Sequence, residues 1–533
     1  MSGKTSLQAA LKLHMAGDLR GAEALYRDMI RRHPRRPETY HAHGNLGAIH
    51  LVEGRLEEAE ACLRAALRLA PNDVGVLGNL GLALRGQGRL EEAVAVHRKA
   101  LGRAPTPATP GHMGALNNLG VSLTEHGEAA EAVACFERLL GMKPGDPDTL
   151  FNLGVALERA DRPTDAVAQY RAVLDRAPGH AGALNNLGNA LGDLNALEEA
   201  QACYTRVLAA DPEHADARWN RALARLALGD FANGWREYEW RWRAPVMRDQ
   251  RRRFVQPAWD GGPLAGRAIL LHAEQGMGDT LQFLRYLPLV RAAGPARVVL
   301  EVQEPLLALV AASPAAVGVE VVARAADFPD GGGLPPFDLH APLMSLPLLL
   351  DRPQPFAPDT PLLRVPETAS AVWADRLAAA APGARLRCGI VWAGRRTHAN
   401  DRRRSLPVAV LAPLAAVPGV QLVSLQTGPA AADPAPWPDG RAPFDAAPFL
   451  ANFAETAAAL SALDLVVTVD TAVAHLAGTL GRPALVLLPF APDWRWMLGR
   501  EDSPWYPSVR LFRQSEPGAW DAVVGRVAEA LAT

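Results

Sequence analysis

Two different rhythms of apolar and polar residues divide the chain. In the first half, apolar residues recur with helical spacing in short blocks, and paired blocks share an internal glycine and end at a proline. The triplet Asn-Leu-Gly marks the register. It begins at Asn45, Asn79, Asn118, Asn152 and Asn186, with a degenerate copy at Asn220, in steps of 34, 39, 34, 34 and 34 residues. A second series, Tyr26, Leu63, His97, Phe136, Tyr170, Tyr204 and Tyr238, puts one large side chain in the partner block of each unit. Pro34, Pro71, Pro105, Pro144, Pro178 and Pro212 close the units, because proline cannot continue a helix. Gly17, Gly54, Gly88, Gly127 and Gly229 mark a tight turn inside the pair, where left-handed backbone is favoured. The long step is taken up by a Pro-rich insertion at 104–111. Seven antiparallel helix pairs are predicted, the first lacking the triplet and the last carrying its degenerate form.

A helix pair repeating every 34 residues is similar to the tetratricopeptide repeat. Within the triplet, Leu packs the core and Gly lets two helices approach. Asn has poor helix propensity and no packing duty of its own. One Asn per first helix predicts a column of amides on the concave face, Asn45, Asn79, Asn118, Asn152, Asn186 and Asn220, able to donate to and accept from an extended peptide. In this the repeats resemble the superhelix of O-linked N-acetylglucosamine transferase, where such a ladder holds peptide substrates. The competing reading is that Asn belongs to the repeat consensus and bonds between neighbouring helices.

From Arg267 the rhythm changes. Short apolar runs at 268–272, 297–302 and 319–322 alternate with helical segments, a Pro-rich stretch at 352–366 interrupts, and the alternation resumes with runs at 387–392, 420–425, 465–469 and 484–488. Strands alternating with helices indicate parallel sheets. The predicted fold is an all-α repeat solenoid at 1–245, a linker at 246–266, and an α/β domain of two doubly wound halves at 267–366 and 367–533. The basic and aromatic segment 235–243 is read as sealing the solenoid and docking the next domain, not as a nucleic-acid surface.

Composition narrows the function. A net charge of -2 supplies no global field for nucleic acid. No apolar run reaches the ~18 residues of a membrane span, and the first helix carries Lys4, Lys12 and Asp18 where a signal peptide needs an apolar core. Cys62, Cys135 and Cys203 occupy one repeated helix-packing slot and Cys388 a strand. Reduced thiols and a cytoplasmic protein are expected.

Chemistry is sought where strands end, since ligands of doubly wound sheets bind outside the carboxyl ends. Gly276-Met277-Gly278-Asp279-Thr280 follows the first strand; it is neither a dinucleotide fingerprint nor a Walker loop. Asp279 reads either as a base facing the cleft or as a helix cap. Asp470-Thr471-Ala472 leads from a strand into a helix whose free N–H groups suit a diphosphate, with His475 on the same helical face as Thr471. The run 394–405 carries Arg395, Arg396, Arg402, Arg403 and Arg404, as a phosphate clamp or a solvated face. No Asp-x-Asp metal motif is present in these loops, so neither metal nor cofactor is required by the sequence.

These residues resemble glycosyltransferase family 9, the heptosyltransferase family of GT-B fold, over residues 268–533. The resemblance implies that Met277-Gly278-Asp279 carries the catalytic base. It implies that Gly278, Thr280, Asp470, Thr471, Ala472 and His475 line the nucleotide-sugar site, and that Arg402 or Arg404 meets phosphate. Glu274 to Asp279 and Pro492-Asp493-Trp494-Arg495-Trp496 look like bacterial proteins that fuse such repeats to this domain. The chain departs from heptosyltransferases in its repeat arm. The expectation is an inverting glycosyltransferase acting on an acceptor presented by the arm, a protein being one candidate. The alternative is a repeat scaffold with an inactive GT-B-like module.

Overall fold

The computed structural model describes residues 3–34, 36, 38–102, 110–248, 250–324, 333–358, 360–380, 382–398, 400–433, 437 and 441–532. Two compact units are present, Met1–Leu191 and Gly192–Thr533.

The first unit consists of antiparallel helix pairs: Gly3–Met15 with Leu19–Arg32, Thr39–Val52 with Leu56–Leu69, Val74–Gly86 with Leu90–Leu101, Pro110–His126 with Ala129–Met142, and Pro147–Arg159 with Pro163–Arg176. Four further repeat helices follow, Ala181–Asp193, Leu197–Ala210, Ala215–Ala227 and Phe231–Tyr238, giving the number expected of seven pairs. The insertion at 104–109, with Pro105, lies outside the described residues.

The triplet glycine has a steric cause. A Cβ on Gly120 would lie 2.6 Å from Phe136 Cζ, and one on Gly154 2.5 Å from Tyr170 Cε1, so the large residue of the second helix rests on bare backbone. The turn glycines have positive φ, and where glycine is missing from the series Asp161 (φ 59°) and Asn195 (φ 57°) adopt the same left-handed conformation. Asn and Asp tolerate it best among residues with side chains.

His97 occupies the slot held elsewhere by Leu63, Phe136 or Tyr170. Its ring is fully buried, and neither nitrogen has a hydrogen-bond partner among the described residues. Burial lowers its pKa to about 4. A histidine whose folded value is depressed contributes its full stability above the unfolded value near 6.5 and loses it as pH falls toward 4. This one group should remove about 2 kcal/mol between pH 7 and pH 5. His97→Phe should abolish that part of the acid sensitivity and stabilise the repeats at neutral pH; urea unfolding followed by helical circular dichroism at the two pH values measures both.

The second unit contains two parallel sheets. The first comprises β1 (Ala268–His272), β2 (Arg297–Val302), β3 (Glu320–Ala323) and β4 (Leu339–Pro342), in the order β3-β2-β1-β4. The second comprises β5 (Leu386–Val391), β6 (Val420–Ser424), β7 (Phe444–Asp445), β8 (Leu465–Val469), β9 (Ala484–Leu488) and β10 (Val509–Arg513), in the order β10-β9-β8-β5-β6-β7. This is a two-lobed GT-B-like α/β fold.

Three strands, β4, β7 and β10, lie outside the apolar runs read from the sequence. β4 reads Leu-His-Ala-Pro and carries no β-branched residue, yet it pairs in parallel with the central β1. The segment 257–266 is tied to the same strand, with Trp259 N donating to His340 O at 2.8 Å. The helix after β1 begins at Met277, so Asp279 sits in its first turn.

The last repeat hairpin packs on the first lobe. Trp235 meets Phe283 and Trp494 edge-on at 5.7 and 5.2 Å. Arg241, fully buried, grips Glu274 with Nε at 2.8 Å and Nη2 at 3.1 Å, and reaches Ser345 Oγ at 2.9 Å. Among the described residues no helix is long and apolar enough to cross a membrane, and the four cysteines form no disulfide.

Candidate functional site

The site forms where β1, β5 and β8 end. Gly276 caps helix Met277–Phe283, and the Asp279 side chain returns to accept from Gly276 N at 2.7 Å, so Asp279 is a cap in this structure. Its other oxygen pairs with Arg495 of the second lobe. Burial pushes the Asp279 carboxyl up, and Arg495 opposes the shift.

Opposite lies helix Ala472–Thr479, capped by Thr471, whose hydroxyl accepts from Val473 N. The two helices pack closely because Gly278 has no side chain: a Cβ there would stand 2.6 Å from His475 Cδ2. His475 is buried, its Nδ1 3.0 Å from Tyr506 Oη and its ring stacked on Trp496. Burial, reinforced by Arg495, Arg285 and Arg404, pushes its pKa well down, so the ring is neutral.

Asp470 is raised by burial and by Asp493, with Arg404 opposing. Arg404 turns inward: Nη1 donates to Asp470 O at 3.0 Å, fastening the basic loop to the end of β8. Arg403 pairs with Asp193 at 2.6 Å, and Arg402 is exposed. Thr280 is buried and donates to Gln303 Oε1 at 2.9 Å, holding the base of the loop. Thus Gly278 and Asp279 meet His475 and Arg495, and Arg404 joins Asp470 just before the helix that Thr471 caps and Ala472 opens, whereas Arg402 stays at the surface and Thr280 bonds within its own lobe. Among the described residues no group of three or more His, Cys, Asp or Glu is placed to hold a metal ion.

Sequence reasoning missed the centre of this arrangement. Arg495 donates from Nε to Gln282 Oε1 at 2.9 Å and from Nη1 to Asp493 at 2.8 Å, besides pairing with Asp279. The signal was an arginine between two tryptophans in a loop that buries both, since a buried cation needs partners. Trp494, Trp505 and Tyr506 are buried too, which makes them packing groups.

The triplet asparagines are half-buried. Asn152 Nδ2 donates to Asn117 Oδ1 at 3.1 Å, and Asn186 Nδ2 lies 3.5 Å from Tyr170 Oη. These bonds cross from one repeat to the next.

Residues 36–106, 79–147, 117–181 and 185–234 match tetratricopeptide repeat families, and residues 449–520 match glycosyltransferase family 9 (heptosyltransferase). N-terminal tetratricopeptide repeats are fused to a C-terminal glycosyltransferase family 9 domain. The family 9 match contains Asp470, Thr471, His475 and Arg495. Protein FlbA of Caulobacter vibrioides is 32% identical over 335 residues, covering 58% of this chain and 54% of that protein. The chain therefore spans about half the length of the curated relative it matches. A tetratricopeptide repeat protein from Parabacteroides merdae is 18% identical over 45% of this chain and 91% of its own, with a TM-score of 0.39. PilF of Pseudomonas aeruginosa is 20% identical over 41% of this chain and 96% of its own, with a TM-score of 0.35.

Proposed function

We propose that the family 9 domain is an inverting glycosyltransferase that moves a sugar from a nucleotide-sugar donor to an acceptor presented by the repeat arm. The observation that carries this reading is the carboxylate of Asp279 in the first turn of a helix that packs on the helix capped by Thr471, with Arg404 bonded to the Asp470 carbonyl at the start of that second helix. Asp279 takes the proton of the acceptor hydroxyl, whose oxygen forms the new bond to the anomeric carbon. The bond from that carbon to phosphate breaks, and its electron pair leaves on the diphosphate. The helix N–H groups, Arg404 and Arg402 stabilise that charge. His475, buried and neutral, acts by holding the two lobes at their contact. The amides of the repeat column supply contacts to an extended peptide acceptor where they are not used between repeats.

A second reading, a scaffold with an inactive module, draws on the engagement of both Asp279 oxygens and the burial of His475.

Thermal-shift measurements with ADP, UDP, GDP and CDP, and with their hexose conjugates, separate the two. A ligand that binds only the folded state at a hundred times its Kd adds about 2.7 kcal/mol. One nucleotide class should raise the melting temperature, and Arg402→Gln should weaken that effect and its salt dependence. A full set of null shifts moves the assignment to the scaffold.

A further inference from the structure

The strongest feature outside the predicted site residues is Arg495. It is 8% exposed, and its three nitrogens each hold a different partner: Nε on Gln282 of the first lobe, Nη1 on Asp493 of its own loop, and Nη2 on Asp279. Its backbone is fixed as well. Asp493 caps the turn at Arg495 N (3.0 Å), Trp505 Nε1 donates to Arg495 O (3.0 Å), and Met497 closes the turn with φ 53°. The neighbouring Trp494 is wedged against Trp235 and Tyr238 of the last repeat hairpin, with ring centroids 5.2 and 6.5 Å away. A guanidinium gripped from three sides leaves Asp279 one geometry.

We infer that Arg495 is a positioning residue for the transfer reaction, orienting the Asp279 carboxylate and balancing its charge from the opposite lobe. The inference rests on the assignment of Asp279 as the base. Each Asp279 oxygen uses one lone pair, on Gly276 N–H or on Arg495, and keeps a second for the incoming proton. Burial favours the neutral form of the Asp279 carboxyl, and Arg495 opposes it by favouring the charged form that can accept a proton.

The charged and titratable groups facing Asp279 come from four elements. Arg495 and Asp493 lie on the second-lobe loop, His398 on the basic loop, Glu274 at the end of β1, and Tyr238 on the last repeat helix. Arg241 already neutralises Glu274. Arg495 is the cation in direct contact, and Asp493 is the anion that opposes it.

The test is a carbon-13 carboxyl titration of the full-length protein with labelled aspartate, Asp279 being assigned by the resonance lost in D279N. Arg495→Met should raise the Asp279 midpoint by about one unit or more, the usual effect of losing an adjacent opposite charge. Asp493→Asn, which keeps a side-chain oxygen to accept from Arg495 N, should lower it. An Asp279 midpoint unchanged in both variants overturns the proposal, and the second variant decides alone if the first does not fold. This readout needs no substrate. If D279N retains transferase turnover while the midpoints move as expected, the base assignment fails and the Arg495–Asp279 coupling stands. If D279N loses turnover while the midpoints stay put, the base assignment stands and the coupling fails.

Discussion

Asp279→Asn should lower turnover by about two to four orders of magnitude while nucleotide affinity is retained. The substitution keeps the shape of the side chain and its ability to accept from Gly276 N–H, since Asn and Asp cap helices about equally well. What it removes is the negative charge and the capacity to take a proton. Arg495 loses one of its two carboxylates and keeps Asp493, so the loop has a remaining anchor. The measurement is steady-state transfer with the donor identified by thermal shift, alongside nucleotide affinity on the same sample. Normal turnover in this variant removes Asp279 from the chemistry. Loss of both turnover and affinity points instead to collapse of the capped turn.

The second large effect is on stability. Arg241→Met should destabilise the Gly192–Thr533 unit by about 3–5 kcal/mol, because Glu274, only 2% exposed, is left charged and unpaired. Replacing both members of the Arg241–Glu274 pair, as Arg241→Met with Glu274→Gln, should recover much of the loss, since neither charge of that pair then remains buried. The deficit of the single variant has a pH signature. Burial raises the Glu274 carboxyl and Arg241 is the main opposing influence. Without Arg241 the folded state binds a proton more tightly than the unfolded chain, so the deficit should shrink as pH falls toward the unfolded carboxylate range. Denaturant unfolding at neutral and mildly acidic pH, comparing variant with wild type at each, reads both magnitude and sign.

The repeats were legible because each unit solves the same packing problem with the same residues. Gly120 under Phe136 and Gly154 under Tyr170 recur at a fixed interval, and a fixed interval survives without any tertiary information. Most strands of the second unit were legible from their apolar runs. β4 was not, because its place beside β1 comes from pairing and not from its own composition. The site divides in the same way. Asp279, Asp470, Thr471 and His475 stand next to strand ends and helix starts, which are local features. Arg495 lies 216 positions from Asp279, and its function as a partner exists only once two lobes are folded against each other. The inward turn of Arg404 likewise rests on partners at Asp470 O and Asp401, while Arg402 two positions before it stays exposed, a difference that spacing cannot reveal.

The contacts of the last repeat hairpin carry an evolutionary corollary. Repeats ahead of Gly192 contact chiefly their neighbouring repeats, so a duplication or deletion of 34 residues there should leave the internal contacts of the Gly192–Thr533 unit in place. The terminal hairpin has no such freedom. Trp235, Tyr238 and Arg241 are each committed to a particular partner, Trp494, Gln275 and Glu274. A foreign array should be accepted only when the crossover lies upstream of Gly192, since Asp193 and Asn195 ahead of that hairpin also bond to the second lobe, at Arg403 and the Phe490 carbonyl. The repeats from Gly192 onward and the α/β domain should therefore be inherited together, as one block.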